Sequence, residues 1–466
     1  MQKRNLPLLE NVEIVSAGAE GKAIARVNNK VIFVPFVVPG DVVDIQIKKK
    51  KKSFEEGVAV RFEKYSDKRI EPLCAHFGLC GGCKWQNMQY EDQLFYKQQQ
   101  VVDNFSRIGH LDFEKIDKII PSKKQFYYRN KLEFSFNNRR WLNDVSWDQK
   151  NLQNADGLGF HLPGMWDRIL DIDYCYLQKE PSNEIRLAIK EYAVANNLSF
   201  YDQRAKQGFL RNLVIRNTVD DQWMILMIFG SETKKERENL LDFILEKFPK
   251  IASLSYAVNE KTNDIYLDLD FVPYKRDDHV METMEHLKFR VGPTSFYQTN
   301  HGQALILYRI ARDFAALTGD EVVYDLYTGT GTIANFVAHQ AKKVVGIEYI
   351  EDAVKDARIN SEINNITNTV FYAGDMAKVL TEDFIAKNSV PDVVITDPPR
   401  AGMHEKVIRQ MMKAAPRRIV YVSCNPATQA RDLALMSDFY EITKIQPVDM
   451  FPHTHHVENV TALEKR

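Results

Sequence analysis

"EVVYDLYTGTGTIANF", residues 321–336, reads as a buried strand that ends on an aspartate, then a turn of glycine and threonine, then an apolar helix start. Gly329 and Gly331 let the backbone come close to a ligand there. Working outward from it, strand and helix patterns alternate. KVVGIEYI (343–350) precedes EDAVKDARINSEINN (351–365), and TVFYAG (369–374), DVVITDPP (392–399) and RRIVYVSC (417–424) supply further strands. This rhythm predicts an α/β fold: a doubly wound, Rossmann-like sheet of mainly parallel strands. Two closing segments, YEITKIQPVDMF (440–451) and ENVTALEK (458–465), lie close enough in sequence to form an antiparallel pair at its edge.

The chain has 466 residues, 44% of them hydrophobic, with a formal net charge of −1, which is enough for two or three cored domains. No apolar run reaches a membrane-spanning length and the N-terminus has no apolar secretory core, so a cytoplasmic location, away from membranes, is expected. Residues 1–70 hold 14 Lys/Arg against 9 Asp/Glu, a balance of +5 that the rest of the chain reverses to −6. The N-terminal part is therefore the better polyanion contact. There, short alternating strands from Asn11 to Phe62, broken by glycine turns, predict a small β-barrel. Lys48 to Lys52, between its last two strands, reads as a hairpin tip that is either simply solvated or able to grip phosphates. A mixed α/β region follows, with a helix over 90–108, another in PSNEIRLAIKEYAVANN (181–197), and strands KLEFSF, GLGFHL, LRNLVIRN, WMILMIF, IASLSYAVN and IYLDL.

Three motifs carry chemistry. Glu348, at the tip of the strand after the glycine turn, is the acid expected to hold a ribose diol, which both NAD and S-adenosylmethionine present. Asp397 ends the next inner strand and is followed by two prolines that stiffen the turn, an acid-Pro-Pro arrangement similar to that of methyltransferases acting on bases. One strand later stands Cys424. A free cysteine at a strand end is commonly a small buried hydrophobe, but this one is expected to face the cofactor crevice. A thiolate there suits a carbon too weakly nucleophilic to accept a methyl group unaided. C5 of uracil is one: thiolate addition to C6 makes C5 nucleophilic, and a base must then remove the C5 proton.

SFYQTN (295–300), DLYTGTG, DPPRAG, SCNP and HHVENV together resemble the RNA uracil-C5 methyltransferases, the RumA/TrmA family, over nearly the whole chain. The resemblance implies a TRAM (OB-like) barrel for RNA binding over 1–64, a central α/β domain over 65–287 and an S-adenosylmethionine-dependent methyltransferase domain over 288–466. It makes Cys424 the nucleophile and Glu458 the base. It sets Gln298, Tyr327, Thr332, Glu348, Asp375 and Asp397 against S-adenosylmethionine or the target base. CAHFGLCGGCKWQ (74–86) resembles the iron-sulfur motif of the 23S rRNA members. Cys74, Cys80, Cys83 and Cys175 then hold a [4Fe-4S] cluster, with zinc as the competing reading of four thiolates. The tRNA-modifying members generally lack barrel and cluster, which points to 5-methyluridine formation at a flipped-out uridine of 23S rRNA by a monomer. A tRNA uracil methyltransferase, an NAD-dependent enzyme and a noncatalytic RNA-binding protein are the rival readings. His453, His455 and His456 have no carboxylate or cysteine partner at ligand spacing and are read as shaping the loop before Glu458. Phe126, Tyr127 and Tyr128 are read as core, with base stacking as the alternative.

Overall fold

The computed structural model describes residues 6–141 and 155–466. At the N-terminus β1 (Leu8–Ala17), β2 (Ala23–Val27), β3 (Lys30–Val34), β4 (Val42–Lys50) and β5 (Phe54–Lys64) close into a barrel in the order β1-β2-β3-β5-β4. Alternate residues, among them Ile14, Ala25, Ile32, Val43 and Ile45, fill it. Asn28 and Asn29, at φ 49° and 60°, make the tight turn between β2 and β3. The lysine run differs from its expectation as a bare tip. Lys48 to Lys50 belong to β4, where Lys49 and Lys50 face Glu56 and Glu55 across the ladder, and only Lys51 and Lys52 turn the corner.

α1 (Tyr90–Arg107) precedes a seven-stranded sheet of β6 (Lys131–Asn137), β7 (Gly157–Leu162), β8 (Met165–Asp171), β9 (Leu210–Asn217), β10 (Trp223–Phe229), β11 (Ile251–Val258) and β12 (Val272–Pro273), in the order β12-β11-β10-β9-β6-β7-β8. WMILMIF is apolar throughout because both faces of β10 are covered. Trp223, Ile225, Met227 and Phe229 pack with α2 (Ser182–Ala195) and α3 (Lys234–Lys247), whereas Met224, Leu226 and Ile228 join the C-terminal core. IYLDL is not a strand. The buried Arg211 guanidinium donates to the Asn259, Lys261 and Asn263 carbonyls, and Asn259 donates to that of Ile265, so side chains tie down the backbone that leads into this segment. The short β12 takes the sheet edge instead.

A hairpin, β13 (Val280–Met284) and β14 (Leu287–Val291), and α4 (His301–Ala315) lead into the second seven-stranded sheet. Its parallel strands are β15 (Val322–Leu326), β16 (Lys343–Glu348), β17 (Thr369–Ala373), β18 (Val393–Thr396) and β19 (Arg418–Ser423). Helices α5 (Thr332–Val337), α6 (Glu351–Ile363), α7 (Met376–Val379), α8 (Glu382–Asn388), α9 (Glu405–Ala414) and α10 (Pro426–Ala434) connect and follow them. Then β20 (Tyr440–Val448) and β21 (Glu458–Lys465) complete the order β17-β16-β15-β18-β19-β21-β20, with β21 antiparallel to both neighbours. The chain runs outward through β16 and β17, then returns to the other side of β15. That reversal makes the carboxyl ends of β15 and β18 the switch point beside which open α/β sheets bind their ligands. Among the described residues no helix is long and apolar enough to cross a membrane.

Candidate active site

The glycine turn after β15 is organised by two carboxylates. Asp325 Oδ2 accepts from Thr328 Oγ1 at 2.5 Å and from the Ala334 N–H at 3.0 Å, which binds the strand end to the first turn of α5. Glu348, ending β16, accepts from the Gly329 N–H and the Ile350 N–H, both at 3.0 Å. Gly329 and Gly331 have φ of 55° and 76°, and a Cβ on Gly331 would lie 2.8 Å from Ala357 Cβ. The turn thus needs glycine both for its backbone and for the close passage of α6. Glu348 is held in one orientation at the crevice, as a carboxylate that grips a ribose diol requires, so these residues fit S-adenosylmethionine.

Beyond β18, Asp397 leads into a loop fastened to α10. Asn425 Nδ2 and Thr428 Oγ1 donate to the Arg400 carbonyl at 3.0 and 3.3 Å, and Arg431 donates to the Ala401 carbonyl at 3.0 Å. Cys424 lies between the last residue of β19 and Asn425, which caps α10 through the Ala427 N–H, with Pro426 opening the helix. The register of β19 against β21 pairs Ser423 with Asn459. The next step along that ladder sets Cys424 beside Glu458, on a strand covered from both sides, where the carboxyl is only 4% exposed.

Burial dominates the electrostatics. It pushes the Glu458 carboxyl up to about 8, with Asp397 adding to the rise and the Arg400 cation opposing it. Asp397 itself is pushed up to about 7 by burial. Asp325 reaches about 7 for the same reason, with Asp397 and Glu348 adding to the rise. The Cys424 thiol is pushed up to about 12 by burial, Glu458 and Asp397, against Arg400. These groups are therefore close enough to sense one another. Tyr308 on α4 is raised well above the ordinary range by burial first and then by Asp397, Glu458 and Asp325, against a lowering hydrogen bond to Gln298.

Of the residues marked in the sequence, Cys424, Glu458, Asp397 and Gln298 come together. Tyr327 is linked electrostatically to Asp375 and Glu348, and Asp375 caps α7 through the Ala377 N–H at 3.0 Å. Thr332 is buried and its hydroxyl meets that of Thr330 at 3.3 Å, with no tie to the other candidates. Arg400, Asp325 and Tyr308 had no role in the sequence reading. DPPRAG and DLYTGTGT contain the first two, and a cation beside two strand-tip acids was the available signal. Nothing in an apolar helix marked Tyr308.

Cys74, Cys80, Cys83 and Cys175 line one cavity of about 380 Å³, against a share of roughly 30 Å³ for one water. All are free thiols. Burial raises each of them, and their mutual proximity adds to the rise at Cys80, Cys83 and Cys175; Cys83 reaches about 12 and Cys175 about 11. Among the described residues no three His, Cys, Asp or Glu side chains gather closely enough to hold a single metal ion. The four thiols are arranged instead around the walls of a shared space. The His453 ring lies tilted against Phe126 with ring centres 4.4 Å apart. Tyr128 is buried, as its core reading expects, whereas Tyr127 is exposed and its core reading is corrected.

A doubly wound sheet with an antiparallel strand inserted near its end, and an acid-lined crevice at its switch point, defines the class of S-adenosylmethionine-dependent methyltransferases. Residues 209–466 match the family model described as tRNA (uracil-5-)-methyltransferase, and residues 11–65 that of the TRAM domain of tRNA (uracil(54)-C(5))-methyltransferase. Proteins described as uncharacterized RNA methyltransferases from Bacteroides thetaiotaomicron and Porphyromonas gingivalis are 54% and 53% identical, over 96% and 97% of this chain and 100% and 99% of theirs. The crystal structure of Pyrococcus abyssi tRNA (uracil-54, C5)-methyltransferase with S-adenosyl-L-homocysteine is similar at a TM-score of 0.74 and 28% identity, covering 97% of this chain and 100% of that one. The chain belongs to the RNA uracil-5-methyltransferase family. One expectation is corrected here: the barrel matches a domain named for tRNA enzymes, so its presence does not separate rRNA from tRNA modification.

Proposed function

We propose that the chain methylates C5 of uracil in RNA through a covalent Cys424 adduct, with Glu458 as the base. The observation that carries this reading is that the β19–β21 ladder ends at Ser423–Asn459, one residue short of Cys424 and Glu458, and that Glu458 and Asp397 both act on the Cys424 thiol. S-adenosylmethionine, when bound, supplies the methyl group. Cys424 is partly exposed, so its proton can leave to water. Its Sγ bonds to C6 of a flipped-out uracil, and the C5–C6 π pair moves toward C5, which then accepts the methyl group. Glu458 removes the C5 proton, that pair restores the C5–C6 double bond, and the C6–Sγ bond breaks to return the thiolate. Glu348 and the Gly329 turn orient the donor's ribose; Gln298 and Asp397 line the reacting centre. Purified protein, uridine-containing RNA and methyl-labelled donor test this. Cys424→Ala is expected to give neither adduct nor product, and full activity in that variant would overturn the reading.

We propose 23S rRNA as the substrate and a [4Fe-4S] cluster on Cys74, Cys80, Cys83 and Cys175. Four thiols around one cavity suit a cluster, and a bound cation relieves the burial of their thiolates. Such a cluster would staple the cysteine loop to the central sheet and supply no electron to methyl transfer. Iron and acid-labile sulfide in protein purified without oxygen support it, whereas stoichiometric zinc without iron would sink it. A tRNA substrate is the second reading, favoured by the tRNA-type barrel match and the Pyrococcus abyssi structure. Mapping 5-methyluridine in rRNA and tRNA from cells with and without the gene decides between them.

A further inference from the structure

Residues 449–457 connect β20 to β21 and deliver Glu458 to the crevice, yet most of this loop is buried. A buried connection must satisfy its backbone groups with partners from elsewhere. Within the loop the bonds are few, such as Thr454 Oγ1 to the Phe451 carbonyl at 2.7 Å. α4 contributes two anchors, Asn300 to the Met450 carbonyl and Gln303 to the Asp449 carbonyl, each at 2.8 Å.

Arg400 reaches His456 Nδ1 at 3.1 Å, and further side-chain anchors come from the other end of the chain. Lys97 on α1 donates to Asp449 Oδ1 at 2.5 Å, an ion pair with both side chains 0% exposed, and to the Phe451 carbonyl at 2.9 Å. Tyr90 donates to Asp449 Oδ2 at 2.7 Å, and Tyr128 to the Pro452 carbonyl at 3.0 Å. The His453 carbonyl accepts from the N–H groups of Lys84 and Trp85, the two residues after Cys83, at 2.8 and 3.0 Å. Gln93 is the junction. Its Oε1 accepts from the His453 N–H at 2.8 Å, its Nε2 lies 3.3 Å from His453 Nδ1, and the same amide donates to the Trp85 and Met88 carbonyls.

We propose that the cysteine segment and α1 position the base: Gln93, with the Lys84 and Trp85 backbone, fixes His453 and so sets where Glu458 meets the C5 proton. This rests on the reading of Glu458 as that base. Adduct formation depends on Cys424, which lies between β19 and the cap of α10 and receives none of the anchors from α1 and the cysteine segment. Proton removal and thiolate release are therefore the steps under control of the cysteine segment.

Single-turnover kinetics on the full-length protein separate the two phases, with formation and disappearance of the covalent RNA adduct read on denaturing gels. Gln93→Leu is expected to slow adduct disappearance about tenfold, the effect of roughly 1.4 kcal/mol of lost placement, while formation stays within about twofold. Tyr128→Phe removes one hydrogen bond, threatens folding less, and should slow the same phase by a smaller factor; if Gln93→Leu is recovered unfolded, Tyr128→Phe decides. Equal slowing of both phases, or no change in either, overturns the inference. Glu458→Gln is run alongside. If it clears its adduct at the normal rate, the base assignment itself falls and the inference with it; if it stalls while the other variants do not, only the positioning role is lost.

Discussion

Cys424 and the four cavity cysteines are all raised by burial, but they differ in what surrounds them. Cys424 has the Glu458 and Asp397 carboxyls acting on it and the Arg400 guanidinium opposing both. Around the cavity thiols the strongest interactions, after burial, are local hydrogen bonds and one another. A thiol among a base and a cation is placed to gain and lose a bond within each turnover. Thiols that share an apolar cavity lose their protons only to a bound cation, and thereafter stay put. Burial alone does not make a cysteine structural; the charges it faces decide.

That contrast breaks most sharply at Cys424. Cys424→Ala should lower methylation on the order of 10⁴-fold or more and leave no adduct, while any metal content stays as in the native protein. A variant with native methylation would reduce Cys424 to a packing residue. The next largest effect is at Glu458. Glu458→Gln should slow product release by about 10² to 10⁴-fold and accumulate adduct. The carboxyl, pushed up to about 8, must be ionised to accept a proton, so the native rate of adduct disappearance should climb roughly tenfold from pH 7 to pH 9 and then level. In the glutamine variant this rise should vanish; a fall with rising pH in the native protein would contradict the base role.

Cys175→Ser tests the other side. Cys175 is buried at the cavity while Cys74, Cys80 and Cys83 sit close together in sequence, so on the proposed cluster reading it ties that loop to the central domain. If the proposed cluster is present, the variant should lose iron and unfold at a temperature lower by several degrees, about 1 to 3 kcal/mol for a lost ligand. Its Cys424 adduct should still form. Abolished adduct formation in a folded Cys175→Ser protein would merge the two thiol classes into one functional unit.

Much of this was legible because period and position sufficed. The parallel strands of the second sheet, each a short apolar run before a turn and a helix, follow the sequence reading from β15 to β19. Cys424 was visible as the residue after such a run. Glu458 was not: ENVTALEK reads as an ordinary edge strand, and only the family resemblance singled it out, whereas the fold inserts β21 inside the sheet and buries it. IYLDL misled because its alternation is real but the backbone leading into it serves Arg211 and Asn259, a long-range use of carbonyls that local pattern cannot show. Gln93, Lys97 and Asp449 escaped for the same reason. They meet across more than 350 residues of chain, and each looks like a surface polar residue in its own segment.

The smallest expected effect sharpens the contrast most finely. Arg400 is the one cation that opposes the rise of both Cys424 and Glu458, and its side chain also reaches His456 Nδ1 at 3.1 Å. Its carbonyl, which holds Asn425 and Thr428, is untouched by a side-chain change. Arg400→Met should therefore keep the loop but remove a charge that favours both thiolate and carboxylate. Both groups then rise further, so the pH profile moves to higher pH and the rate near neutrality drops a few-fold, about 1 kcal/mol for one partly screened charge. Native and variant rates of adduct disappearance should converge well above pH 8, where the Glu458 carboxyl is ionised in both, and metal content should not change. A shift toward lower pH, or a loss that persists undiminished at high pH, would mean that Arg400 acts on the substrate rather than on its two neighbours.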